Sequence, residues 1–223
     1  MPHLTPDSPR TLPMGWLACI RQAAWLLLAS ACCITLAHAQ VSGCGELKNG
    51  FGPYDFLTDK DKLPIVEQHH FTPEVEMLVR GNTSVAVGAD ISYTLLAFPN
   101  HHRALQAMVR LGARQHTPQP AGATFSVECY FDRALRFRPH DTTARLLYAN
   151  YLFQNQRKQD ALGQMDVVAD EAGDNAFTHY NMGLMYLENQ VYDLALAHAR
   201  KAYDLGFTQP GLRDKLEHLG RWQ

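Results

Sequence analysis

Between residues 142 and 209 the chain repeats itself with a period of 34. The stretch Asn181-Met182-Gly183-Leu184-Met185-Tyr186 lies over Leu147-Tyr148-Ala149-Asn150-Tyr151-Leu152, which brings the small residues Gly183 and Ala149 into register. Asp193-Leu194-Ala195-Leu196 follows Gln159-Asp160-Ala161-Leu162 at the same step, and Ala134, Val168 and Ala202 continue it. A fixed period of this size marks a chain built from stacked supersecondary units. Small residues let two helix axes approach, and larger ones beside them fill the space between turns. One helix pair cannot bury its own apolar stripe, so neighbouring pairs must stack.

These markers resemble the tetratricopeptide repeat (TPR) family, whose unit is a pair of antiparallel helices. The resemblance places Gly183 and Ala149 where helix A crosses helix B, Tyr186 and Leu152 at the large apolar position after it, and Ala195 and Ala161 at the start of helix B. Pro139 matches the proline that ends a repeat. Gly173 and Phe207 depart from that proline, and Arg145 and His179 stand where an aromatic is usual. The implied fold is all-α, a TPR-like helical-hairpin solenoid with an irregular N-terminal arm. Its repeats span 142–175 and 176–209, with a cap at 210–223.

Upstream the register loosens. Phe125 to Arg138 reads as a helix B, and Asn100 to Arg114, with Ala104, Leu105, Met108, Val109 and Leu111 at helical spacing, reads as its helix A. The breaker-rich segment Gln115 to Gly122 separates them, so 100–139 is a degenerate repeat with an insertion. Ile91 to Phe98 is expected to form one more short helix before Pro99. Residues 40–89 are punctuated by Gly43, Gly45, Gly50, Gly52, Pro53 and Gly81. They read as an extended arm with one short helix, entered by Thr72 as N-cap and Pro73 at its first position.

Residues 23–39, AAWLLLASACCITLAHA, are apolar, follow Arg21 and end in Ala37-His38-Ala39. That is the pattern of a signal peptide cleaved after Ala39, with export to the periplasm; a lipid anchor at Cys32 is the minor alternative. Cleavage removes three of five cysteines and leaves Cys44 and Cys129. In an oxidising compartment these suggest a disulfide, with two buried free thiols as the alternative. From residue 40 onward no apolar run approaches the ~20 residues of a spanning helix.

With Lys+Arg 20 against Asp+Glu 22, the formal charge is −2. No basic excess supplies the electrostatic term of nucleic-acid binding. The chain contains no Walker loop, G-x-S-x-G elbow, dinucleotide fingerprint or HExxH. The expectation is therefore a non-enzyme without a cofactor. His69, His70, His101 and His102, with Glu67, Glu74 and Glu76, offer metal-type ligands, and a metal-handling protein using this His-rich arm is the alternative function.

The TPR resemblance implies a further set. In that family helix-A side chains on the inner curve receive a peptide, which here selects Thr143, Leu146, Leu147, Asn150, Phe153 and Gln154, then Phe177, Tyr180, Asn181, Leu184, Leu187 and Glu188. Asn150 and Asn181 could read an extended backbone through both amide atoms, with the apolar members as anchors. In the competing reading Leu146, Tyr180 and Leu184 contact the arm or the next helix. The expected partner is another protein or peptide segment; neither its identity nor the oligomeric state follows from the sequence.

Overall fold

The computed structural model describes residues 43–222. The signal-peptide reading of residues 1–39 and the Cys32 alternative lie outside the described residues. Ten helices and no strand are present among those described: α1 Leu63–His70, α2 Pro73–Glu76, α3 Val87–Ala97, α4 His102–Gln115, α5 Val127–Phe137, α6 Thr142–Gln154, α7 Lys158–Ala172, α8 Ala176–Glu188, α9 Tyr192–Asp204 and α10 Gly211–His218. The fold is all-α and built on helical hairpins. Among the described residues no helix is long and apolar enough to cross a membrane.

The period of 34 is visible in backbone detail. Asp141 and Asn175 each end an extended entry and accept, through the side chain, the N–H of the third residue on, from Ala144 and Thr178. Each thereby satisfies one of the first-turn donors that a helix leaves unpaired. At the other end of the same helices Gln156 and Gln190 both take the left-handed conformation, at φ 61° and 59°. Arg157 N–H then donates to the Leu152 carbonyl and Val191 N–H to that of Tyr186, at 2.9 and 2.8 Å. Two hairpins, α6/α7 and α8/α9, therefore start and turn on equivalent residues. Inside the second hairpin, a Cβ added to Gly183 would lie 3.4 Å from the Ala195 carbonyl oxygen and from the Ala199 nitrogen. That closeness is the reason for a small residue there.

Two large apolar cores follow the chain order, and a smaller cluster gathers Val66, Ala97 and Phe98 with Phe51, Tyr54 and Phe56 of the arm. Met165, Val168, Tyr180, Met182, Tyr186, Ala195 and Ala199 form the second, closed at its end by Leu212 and Leu216 of α10. Ile91, Leu95, Leu105, Met108, Leu111, Tyr130 and Phe131 form the first, and Phe71, Val75 and Leu78 are buried with them.

The segment 40–89 therefore differs from an extended arm with a single helix. It carries both α1 and α2, and it contributes side chains to the main core. The apolar signal of α1 is confined to Leu63, Ile65 and Val66, too short to establish a period. Thr72 has the extended backbone of an N-cap, but its side chain makes no capping bond and its hydroxyl is buried without a partner among the described residues. Helix α3 begins at Val87, before the expected Ile91. Its Gly88 allows the approach of the 115–122 loop: a Cβ there would lie 2.3 Å from the Ala121 carbonyl oxygen. Cys44 and Cys129 form a disulfide that ties the arm to α5.

Candidate functional site

Helix α4 packs its Ala104, Leu105, Met108 and Leu111 into the first core and leaves another face toward α6. On that face Gln106, Val109, Arg110 and Ala113 follow at helical spacing. With Leu147, Asn150 and Gln154 of α6 they line a groove of about 510 Å³. A neighbouring hollow shares Val109, Ala113 and Gln154 and continues past Gly112, His116, Pro118 and Val127 to Tyr151 and Asn155. The floor is apolar and the walls carry amides at positions 106, 150, 154 and 155. An amide offers both a donor and an acceptor, the pair that an extended peptide backbone presents in return.

The sequence-derived binding residues divide. Asn150, with Leu147 and Gln154, lines the groove. Tyr180 and Leu187 are buried in the second core, with Leu146, Phe153 and Leu184 packed against it. Tyr180 stacks on Phe207 at a ring separation of 4.2 Å, so its aromatic face meets the segment after α9. Asn181 is half-buried, and Phe177 is exposed, its ring 6.3 Å from Phe207. The groove residues missing from the expected set come from α4. Their signal was present in the 106, 109, 110, 113 spacing, but a degenerate repeat hid its orientation.

The arm turns elsewhere. Tyr54 N–H donates to the Ala97 carbonyl at 2.8 Å, and Arg133 Nη1 donates to the carbonyls of Cys44 and Glu46. Asn100 Nδ2 donates to Asp55 Oδ1 at 2.8 Å and to Asp141 Oδ2 at 2.9 Å, while Arg138 Nη1 stands 2.8 Å from Asp55 Oδ2. These contacts seat residues 44–56 against α3, α4 and α5.

The same region places the four histidines, with His69 and His70 both lining one small cavity. His101 is fully buried; its Nδ1 accepts the Ala104 N–H, so its Nε2 carries the proton and donates to Glu67 Oε1 at 3.0 Å. Burial pushes the His101 pKa down, and the hydrogen bond from His101 holds Glu67 below the usual carboxylate range. His102 Nε2 donates to Asp141 at 2.9 Å. Burial alone would raise Asp141, but His102 and the Ala144 N–H outweigh it and hold that carboxyl low. His70 Nδ1 lies 3.0 Å from Asp90 Oδ1. Asp90 also accepts from the Thr83 hydroxyl and the Asn82 N–H, which overcome its burial and lower its pKa. His69 lines a cavity of about 130 Å³ with Phe51, Ile65 and Tyr93. Among the described residues no group of three His, Cys, Asp or Glu side chains is placed to hold a metal ion.

Comparison with protein-family models, curated proteins and solved structures returned no match to this chain. The function rests on the site itself.

Proposed function

We propose that this chain is an exported, TPR-like periplasmic protein that acts as a non-enzymatic interaction or assembly module. The observation that carries the reading is the groove between α4 and α6, with its apolar floor of Val109, Ala113 and Leu147 and its amides Gln106, Asn150 and Gln154. Such a lining suits an extended segment of another protein: amides satisfy its backbone, and the floor covers its apolar side chains. The repeat with period 34 and the helical hairpins support the TPR-like part of the reading. The Ala37-His38-Ala39 ending and the Cys44–Cys129 disulfide support export to an oxidising compartment.

A photo-crosslinking residue placed at Asn150 is expected to capture a discrete partner in intact cell envelopes. Gln106→Ala/Gln154→Ala in the same protein should remove that product and leave the melting temperature nearly unchanged, because both side chains line the groove and are exposed. Equal crosslinking with and without Gln106→Ala/Gln154→Ala would reject the groove. Fractionation with N-terminal sequencing tests export: the mature chain should begin at Gln40, and an unprocessed cytosolic chain would overturn that part.

A further inference from the structure

The turn that follows α2 leaves apolar side chains outside while placing a leucine in a conformation that leucine disfavours. Val79 N–H donates to the Glu74 carbonyl at 2.8 Å and Leu78 N–H to that of Val75 at 3.0 Å, the pattern that closes a helix with a left-handed residue. That residue is normally glycine. Here it is Leu78, at φ 62°, with its side chain buried in the first core. In the usual form of the motif the next residue packs back on the helix. Val79 instead is 68% exposed, and Met77 on the other side is 65% exposed. Steric strain at a non-glycine residue persists only where the surroundings enforce it.

The enforcing groups are cationic. Arg110 Nη2 donates to the Glu76 carbonyl and Arg114 Nη1 to that of Leu78, both at 2.8 Å. One helical turn apart on α4, these arginines bracket Met77, and exposed Arg80 follows Val79. Among the described residues Arg80, Arg110 and Arg114 form no ion pair with a carboxylate. Glu76 is taken by Arg103, at 2.6 Å, and Glu74 lies beyond ion-pairing distance of Arg80. A rigid ridge with two protruding aliphatic side chains is thus flanked by three guanidinium groups that form no direct ion pair among the described residues, with Glu74 acting on Arg80 and Glu76 on Arg110 only at longer range.

We infer that this ridge, Met77 to Arg80 with Arg110 and Arg114, is a contact surface for an anionic phospholipid bilayer. Guanidinium groups pair with phosphate oxygens in a planar, two-point geometry. Aliphatic side chains at the same height enter the boundary between headgroups and acyl chains, and the two contributions add. Protruding groups suit a fluid layer that moulds around them, whereas a protein partner would need a fitted socket. The surface shares Arg110 with the groove, whereas Met77, Val79 and Arg80 do not line it, so substitutions at those three leave the groove as it is.

Co-sedimentation with two vesicle populations tests it: phosphatidylcholine alone, and phosphatidylcholine mixed with phosphatidylglycerol. The protein should bind the mixed vesicles about tenfold more tightly, and added salt should erase the difference. The assay uses the processed chain that begins at Gln40, which lacks the apolar segment and its Arg10 and Arg21. Met77→Ser/Val79→Ser/Arg80→Gln, confined to exposed positions, should keep the wild-type melting curve and lose the preference. In Val79→Trp the added tryptophan emission should shift to the blue with mixed vesicles only. No preference in the wild type, a preference kept by the triple variant, or an unshifted Val79→Trp spectrum would overturn the inference. So would binding of polyglutamate in place of vesicles, or self-association abolished by the triple variant; these would assign the ridge to an acidic protein or a second copy.

Discussion

In residues 43–138 the chain is held by groups far apart in sequence: Arg133 reaches the Cys44 and Glu46 carbonyls, Asn100 holds Asp55, and Cys44 is bonded to Cys129. In residues 142–218 the helices meet their immediate neighbours through small side chains, with Gly183 against Ala195 and Ala199, Ala149 and Ala161 fully buried, and helix caps 34 residues apart. The first region can position polar groups at will but depends on a staple. The second is nearly self-sufficient, because a hairpin carries most of its own contacts. Arg133 shows what the first arrangement costs. It is 1% exposed, faces two carbonyls and the Phe125 ring, and keeps its Nε and Nη2 without a partner among the described residues. Burial lowers its pKa, so this cation is held by packing and carbonyl dipoles.

The strongest test of the comparison removes the staple. Cys44→Ser/Cys129→Ser opens a loop of 85 residues and should cost about 2–5 kcal/mol. Hydrogen exchange should show protection lost first in residues 44–62 and around Arg133, with α6 to α9 retaining theirs. Simultaneous loss across both regions would show that they unfold as one unit and would break the distinction. Maleimide labelling of the native protein before and after reduction checks the bond directly, with no free thiol at positions 44 and 129 expected before.

A smaller effect probes the second region. A Cβ at Gly183 would lie 2.5 Å from Leu212 Cδ2, the far end of a flexible side chain, with the α9 backbone at 3.4 Å behind it. Gly183→Ala therefore requires only that Leu212 move. Gly183→Leu has no such escape and should cost about 1–3 kcal/mol by overpacking. Lys201→Leu, at an exposed site with only an ion pair to Asp174, should stay within about 0.5 kcal/mol. Thermal melts of the three variants decide it; equal shifts for Gly183→Leu and Lys201→Leu would remove Gly183 from the hairpin interface.

The same contrast explains what could be read from the amino acids. Gly183, Ala149, Ala195 and Ala202 do local work at fixed spacing, so their period betrayed both hairpins and their boundaries. Cys44 and Cys129 were legible by count. Asp55, Asn100 and Arg133 carry no local pattern; their partners lie tens of residues away and only the folded chain joins them. The groove shows both cases. Asn150 followed from the repeat, whereas Gln106, Val109, Arg110 and Ala113 sit on a helix with two useful faces, and spacing alone does not say which neighbour the second face meets. Spacing leaves Tyr180 two roles, a groove anchor or a contact with the arm or the next helix; its ring stacks on Phe207 and meets Tyr203 of α9 edge-on.

The smallest effect sharpens the comparison by pH. Each region holds one histidine whose pKa is pushed down: the buried His101 in the first, by desolvation, and the half-buried His198 in the second, by desolvation and the neighbouring His179. The Gly173 carbonyl can only accept, so His179 Nε2 donates to it at 3.0 Å, and His179 Nδ1 accepts from His198 Nδ1 at 2.9 Å. A group with a depressed pKa binds fewer protons folded than unfolded. Its stabilisation is complete above the ordinary histidine value near 6.5 and is lost as pH falls from there through the folded value. The slope is at most about 1.4 kcal/mol per pH unit for one proton. The carboxylates Asp90 and Asp141, whose folded values are lowered, contribute stability that is lost only below the ordinary aspartate value near 4, so a scan from pH 8 to 5 isolates the histidines. Hydrogen exchange across that scan should show both regions weakening. In His198→Asn, whose amide can still donate to His179, the dependence should disappear from α8 and α9 and persist around α4. Persistence in α8 and α9 would mean that the pair does not set the response of its hairpin.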